Sequence, residues 1–157
     1  MRHAKSSWTD PSLSDFERPL NERGRRAAPF MGEVLKREGL IPDHIICSPA
    51  QRTRETAELV QEATAPDVDV HHDARIYEAT AGELIEVVST TPDNFQRALL
   101  IGHNPSSEQV VQVITGAIEA MPTAALAVID LDIGSWAEIA PGKGKLRRIF
   151  RPKEEMR

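Results

Sequence analysis

A chain of 157 residues, of which 40% are hydrophobic and 27% charged, is long enough to bury the core of one globular domain. Its net charge of −5 argues against a surface for nucleic acid or anionic membranes, and its single cysteine, Cys47, excludes an internal disulfide and fits a reducing compartment. No apolar run approaches the roughly 18 residues of a membrane span and the N-terminus lacks a signal-peptide pattern, so we expect one cytoplasmic domain over residues 1–157.

The chain opens with a very short strand that ends in adjacent arginine and histidine side chains, Arg2 and His3. A small residue, Ala4, follows, and a polar loop begins after it. A guanidinium binds a phosphate dianion with a planar fork of donors, and an imidazole nitrogen can attack phosphorus as a nucleophile. Because almost no residues precede His3, this strand is either a stub or the end of a longer first strand.

Beyond the loop, helical patterns alternate with short apolar runs, which is typical of an α/β fold. The first helix is predicted at Glu22–Arg37, with Asn21 as its N-cap and Gly39 just past its end. Pro29 lies inside this helix and is expected to kink it or to break one turn. Strands are predicted at residues 44–47, 68–71, 98–102, 124–131, 136–139 and around 146–150.

Three further helices begin at capping signals. Ser48 is the predicted N-cap of the second helix and is followed by a proline at the first helical position. Thr80 and Glu83 form a capping box at the start of the third helix, and Asn104 is the predicted cap of the fourth. The whole pattern predicts a three-layer α/β fold, with a mostly parallel central sheet, helices on both faces and antiparallel strands at the C-terminus.

Two of these helix starts carry residues that suit an anionic ligand. Arg52 lies in the first turn of the second helix, and His103 ends a strand directly before Asn104. The carboxyl ends of parallel strands and the helix N-termini that follow them share one edge of the sheet, where ligands bind and where unpaired N–H groups face anions. We therefore expect Arg2, His3, Arg52 and His103 to converge on one phosphate.

These residues lie in motifs that resemble those of the histidine phosphatase (phosphoglycerate-mutase-like) superfamily. RHAKSSW at residues 2–8 is similar to the first phosphate loop of that family, SPAQRTRETA at residues 48–57 to its second arginine motif, and GHNP at residues 102–105 to its second histidine motif. RPLNERG at residues 18–24 and PTAALAVI at residues 122–129 are similar to the SixA-type phosphohistidine phosphatases. The resemblance covers almost the whole chain.

The resemblance implies that His3 attacks phosphorus and carries the phosphoryl group as a covalent intermediate. Arg2, Arg52 and His103 would then hold the phosphoryl oxygens and neutralise charge in the transition state, without a metal or another cofactor. Two adjacent guanidinium groups are also expected to lower the pKa of His3 below its usual value of about 6.5, which leaves the ring neutral and nucleophilic.

The resemblance assigns three more residues to the site. Ser6 and Asn104 would contact the substrate, and Glu78 would give a proton to the leaving group. An imidazole leaving group, with a pKa of about 6.5, departs easily, so Glu78 can help without being essential. Arg18 could also reach the edge of the site, although an ion pair with Glu17 is the simpler interpretation.

Three functions remain open from the sequence. The favoured one is a phosphohistidine phosphatase that acts on a phosphorylated protein, such as a histidine-phosphotransfer domain. The alternatives are a phosphatase of small metabolites with the same mechanism, and a non-catalytic module that binds phosphoproteins. Ala4, Lys5 and Thr9 differ from residues common in mutases, and the short chain leaves no room for insertions that enclose a small metabolite. An intact His3 argues against a pure binding module.

Overall fold

The computed structural model describes every residue from Met1 to Arg157. Three short strands, β1 at His44–Cys47, β2 at Val70–His72 and β3 at Ala98–Ile101, form a parallel sheet in the order β2-β1-β3. β1 is buried along its whole length, as expected for a central parallel strand that is covered on both faces. The mostly parallel central sheet is therefore confirmed, although β2 begins two residues later than predicted.

Four helices cover the two faces of this sheet: α1 at Glu22–Arg37, α2 at Gln51–Thr64, α3 at Ala81–Ser89 and α4 at Ser106–Thr115. α1 and α2 pack against one face, and α3 and α4 lie on the other. None of the helices has the length and the apolar composition that a membrane crossing requires.

Neighbouring residues of β1 pack into hydrophobic clusters on opposite faces of the sheet. Ile45 belongs to the main core cluster together with Met31 of α1 and Val60 of α2, whereas Ile46 packs with Leu84 of α3 in a second cluster. Successive side chains of a strand point to opposite faces, so one short strand anchors helices on both sides. The predicted three-layer arrangement is confirmed.

The C-terminal third forms an antiparallel pair, as predicted, with β4 at Leu126–Leu131 and β5 at Gly144–Phe150, followed by the short helix α5 at Pro152–Glu155. The predicted strand at residues 136–139 is wrong, because Trp136–Glu138 is a turn of 3-10 helix.

Local capping explains that difference. The Ser135 hydroxyl accepts a hydrogen bond from the Ala137 N–H, and the Glu138 carboxylate accepts one from the Ser135 N–H at 2.7 Å. The Trp136 indole N–H donates to the Phe95 carbonyl at 2.9 Å. A capping box therefore outweighs the short apolar run that favoured a strand.

The start of α1 packs directly against the loop that follows His3. Asn21 caps this helix as predicted, because its side chain accepts a hydrogen bond from the Gly24 N–H at 2.9 Å. A Cβ atom at Gly24 would lie 2.2 Å from the carbonyl oxygen of Lys5, so only glycine permits this contact. Gly39 ends the helix region with a φ of 69°. The helix is continuous through Pro29, so the predicted break of one turn does not occur.

The segment from Met1 to His3 lies between the two sheets and is hydrogen-bonded on both sides. The His3 N–H donates to the Gly102 carbonyl at 3.0 Å, and the Gly102 N–H donates to the Met1 carbonyl at 3.0 Å. On the other side, the Ala124 N–H donates to the His3 carbonyl at 2.9 Å. The backbone of His3 is therefore held both from the end of β3 and from the approach to β4.

Candidate active site

The structure brings together the four residues that the sequence analysis places around one phosphate. His3 and His103 lie with their ring centroids 5.3 Å apart, and Arg52 Nη2 is 3.4 Å from His103 Nδ1. His3, Arg52 and His103 are buried and Arg2 is half-buried. These side chains reach the same edge because α2 follows the end of β1, His103 follows the end of β3, and His3 follows the parallel bridge that Arg2 forms with Gly102.

The ring of His3 is held in one orientation with one nitrogen free. Its Nδ1 lies 2.7 Å from the carbonyl oxygen of Ala4, and because a carbonyl oxygen only accepts, Nδ1 carries the ring proton and Nε2 keeps its lone pair. The Ala4 N–H donates to the Thr56 hydroxyl of α2 at 3.0 Å, which ties the backbone at Ala4 to this helix.

The pKa of His3 is lowered to about 3, and burial of the ring is the main cause. The positive charges of Arg52 and Arg2 lower the pKa further, but they contribute less than burial. The expected direction of the shift agrees with the sequence analysis, whereas the expected cause was incomplete, because the depth of a side chain depends on packing that two adjacent guanidinium groups do not reveal. A neutral imidazole at neutral pH is the nucleophilic form.

His103 takes the opposite tautomer. Arg52 can only donate, so His103 Nδ1 accepts from its Nη2 group, and Nε2–H donates to the Ser48 hydroxyl at 2.8 Å. Burial lowers the pKa of His103 to about 4, and the charge of Arg52 adds to this effect. The ring edge also meets Tyr77, with centroids 5.5 Å apart. His103 is therefore a neutral donor fixed by two neighbours.

Two residues that were predicted to cap helices, Ser48 and Asn104, instead make hydrogen bonds within the candidate site. α2 begins at Gln51 and the residue before it is Ala50, so Ser48 is not the N-cap; its hydroxyl accepts from the Ala50 N–H at 3.2 Å and pairs with His103. His103, which lies far away in the sequence, therefore takes the Ser48 hydroxyl that was expected to cap the helix.

Asn104 likewise does not cap α4, which begins at Ser106. Its side-chain N–H group donates to Glu108 at 3.0 Å and to the Met121 carbonyl at 3.0 Å. Arg2 Nη1 donates to the same Met121 carbonyl at 3.1 Å. Asn104 and Arg2 therefore share the Met121 carbonyl as an acceptor and lie side by side. The buried Oδ1 of Asn104 has no hydrogen-bond partner within the protein.

The side chain of Ser6 is hydrogen-bonded to Arg18. The Ser6 hydroxyl accepts from Arg18 Nη2 at 2.6 Å, and Arg18 Nη1 lies 3.1 Å from the Asp15 carboxylate. Arg18 is therefore buried at the edge of the site and paired with Asp15, so the simpler pairing with Glu17 is wrong.

Asp15 is the residue of this site that the sequence analysis missed. Its carboxylate accepts from Arg52 Nη2 at 3.0 Å and from the Tyr77 hydroxyl at 2.7 Å, and its backbone carbonyl accepts from Arg52 Nη1 at 2.6 Å. The hydrogen bonds to the carboxylate, that of Tyr77 first and that of Arg52 after it, lower the pKa of Asp15 to about 2. Only its position three residues before Arg18, in a polar loop, could have drawn attention to it.

Glu78 follows Tyr77 at the rim but makes no hydrogen bond to the central residues. It is exposed, and its φ of 56° places it in the left-handed region that side chains other than glycine disfavour. Its role as proton donor stays a prediction.

The fold and this cluster first define a class of protein. A parallel α/β sheet that brings two histidines and two arginines to one edge, followed by an antiparallel pair, matches the phosphoglycerate-mutase-like fold. A family model described as histidine phosphatase superfamily (branch 1) matches residues 1–121. The chain belongs to the histidine phosphatase superfamily.

Several known proteins are similar to this chain over nearly its whole length. An uncharacterized protein of Mycobacterium tuberculosis is 32% identical over 153 residues, which cover 90% of this chain and 93% of that protein. SixA from Agrobacterium tumefaciens, described as a candidate phosphohistidine phosphatase, has a TM-score of 0.83 at 27% identity and covers 97% of this chain and 95% of its own. The protein histidine phosphatase SixA complexed with tungstate has a TM-score of 0.85 at 21% identity, with coverages of 98% and 96%, and so shares the fold.

Proposed function

We propose that this protein is a phosphohistidine phosphatase that removes the phosphoryl group from a phosphorylated protein side chain through a covalent intermediate on His3. The observation that carries the proposal is the orientation of the His3 ring. Nδ1 is bound to the Ala4 carbonyl, Nε2 is free, and the ring lies beside His103 and within the field of Arg52. A nitrogen nucleophile next to fixed cationic donors is what attack on phosphorus requires.

The reaction proceeds in two displacements. In the first, His3 Nε2 forms a bond to phosphorus while the bond from phosphorus to the substrate imidazole breaks, and the leaving imidazole takes a proton, with Glu78 as the proposed donor. In the second, a water oxygen attacks phosphorus, the bond to His3 breaks, and the water proton returns to the same carboxylate. Arg2, Arg52 and His103 neutralise the charge of the transferring group throughout.

Two further observations support a protein substrate. The solved structure that is similar at 27% identity is described as a candidate phosphohistidine phosphatase. Aromatic side chains also stand exposed at the edge of the site: Trp8 is 74% exposed and stacks on Arg18, and Phe16 is 39% exposed and packs against Tyr77. Exposed aromatic residues beside a polar centre suit contact with a protein surface.

The proposal is tested by turnover of a phosphorylated histidine-phosphotransfer domain, free phosphohistidine and a panel of sugar phosphates, measured as released orthophosphate. We expect the phosphorylated protein to be preferred. A preference for sugar phosphates would instead favour the metabolite phosphatase, and tight phosphoprotein binding without turnover, retained in His3→Ala, would favour the binding module.

The covalent step is tested separately by acid quenching during turnover of labelled substrate. An acid-labile phosphoryl group should be trapped on the wild-type protein and not on His3→Ala. Arg52→Lys should lower kcat/KM about a hundredfold, because a lysine cannot replace the fork of donors. Arg54→Lys, exposed two residues further along α2, is the matched control and should leave turnover unchanged.

A further inference from the structure

The buried guanidinium of Arg52 already has an anionic partner within the chain. Asp15 supplies two acceptors to its two terminal nitrogens, the backbone carbonyl to Nη1 at 2.6 Å and the carboxylate to Nη2 at 3.0 Å. A carboxylate and a phosphoryl group accept the same fork of donors from arginine. Because a buried charge without a partner is strongly disfavoured, Asp15 neutralises Arg52 whenever the pocket holds no phosphate.

Asp15 is also placed so that it can give Arg52 up. Its side chain is 51% exposed, and it belongs to a three-residue 3-10 turn, Asp15–Glu17, that contains no buried residue. The carboxylate keeps two other donors, Arg18 Nη1 at 3.1 Å and the Tyr77 hydroxyl at 2.7 Å, when the bond to Arg52 is lost. Release of Arg52 therefore breaks one ion pair and leaves the carboxylate hydrogen-bonded to Arg18 and Tyr77.

We infer that Asp15 is a positioning residue that competes with the phosphoryl group for Arg52, a conclusion that rests on the proposed function. In the free enzyme it holds the Arg52 fork in one orientation. A phosphoryl dianion on a substrate displaces the carboxylate from Nη2, and after hydrolysis the carboxylate returns to Arg52 and weakens the hold on orthophosphate. Asp15 thus sets the affinity of the pocket for its own product.

The test is the affinity for orthophosphate measured by titration calorimetry, which needs no turnover. Asp15→Asn removes the competing charge and should bind orthophosphate roughly tenfold more tightly than wild type. In steady-state assays the same variant should lower both KM and kcat, because product leaves more slowly. Asp15→Ala should also bind orthophosphate more tightly than wild type, and it replaces Asp15→Asn in the test if that variant does not fold.

Two controls separate charge from position. Asp15→Glu keeps the charge and should not bind orthophosphate more tightly than wild type. Asp10→Asn removes a charge from the same loop that pairs only with Ser12 and should leave the affinity unchanged. Unchanged or weaker binding by both Asp15→Asn and Asp15→Ala would overturn the role of Asp15 alone. Failure of the folded wild-type protein to bind orthophosphate would count against the proposed function itself.

Discussion

At the scale of single residues, the proposed chemistry depends on two histidines that the fold keeps neutral in opposite tautomers. The Ala4 carbonyl fixes the proton of His3 on Nδ1, and Arg52 fixes the proton of His103 on Nε2. One ring therefore offers a lone pair and the other a donor. The residue types were evident from the sequence, but their protonation is a consequence of burial.

Keeping His3 neutral makes stability depend on pH. The pKa of His3 is about 3 in the folded protein against 6.5 for the free side chain. Between these values the unfolded chain binds a proton that the folded protein does not, so stability falls as pH drops below about 6.5. His3→Asn should reduce this slope by up to about 1.4 kcal/mol per pH unit in urea unfolding followed from about pH 7 to about pH 4. An unchanged slope would contradict the buried, neutral His3.

Glu78 combines a strained backbone with its proposed role as an acid. A left-handed conformation costs a residue with a side chain about 1 kcal/mol, which glycine avoids. Glu78→Gly should therefore raise the free energy of unfolding by about 0.5–1 kcal/mol while lowering kcat. Glu78→Gln keeps the strain and tests the acid alone, through its pH–rate profile. If that profile matches the wild type, Glu78 is not the proton donor.

At the scale of elements, the helix starts explain which sequence predictions held. The bounds of α1 and the capping box of α3 are set by neighbours in sequence, and both were predicted correctly. Ser48 and Asn104 have the same local signals, but more distant partners, His103 for Ser48 and the Met121 carbonyl for Asn104, take their side chains. A capping motif beside a binding site is therefore ambiguous, because the site competes for the same polar atoms.

The contact between α1 and the loop after His3 gives a paired prediction. Gly24→Ala would place a Cβ atom 2.2 Å from the Lys5 carbonyl oxygen, so it should destabilise the protein by about 2–3 kcal/mol and lower turnover by moving the loop. Gly82→Ala in α3 meets no atom closer than 3.8 Å and should stabilise the protein by about 0.5–1 kcal/mol. Urea midpoints that do not separate the two variants would contradict the close approach at Gly24.

At the scale of the whole molecule, the alternation of strands and helices was sufficient to predict the layers, because it reflects where apolar surface must be buried. It was also sufficient to place Arg52 and His103 on one edge with His3. The position of the loop that carries Asp15 could not be predicted from the sequence. Its position depends on hydrogen bonds to Arg52 and Tyr77, which come from two distant segments with no common sequence pattern, as well as on the bond to Arg18 within the loop.

The backbone of His3, held between Gly102 and Ala124, has a consequence for dynamics. His3 belongs to neither sheet alone, so a local opening of either one would move its ring, the proposed nucleophile. The position of this ring then depends on a backbone segment that is hydrogen-bonded on both sides rather than on a surface loop. In hydrogen-exchange measurements the amides of His3 and Ala124 should exchange only through global unfolding, whereas those of the Asp15 turn should exchange through local opening.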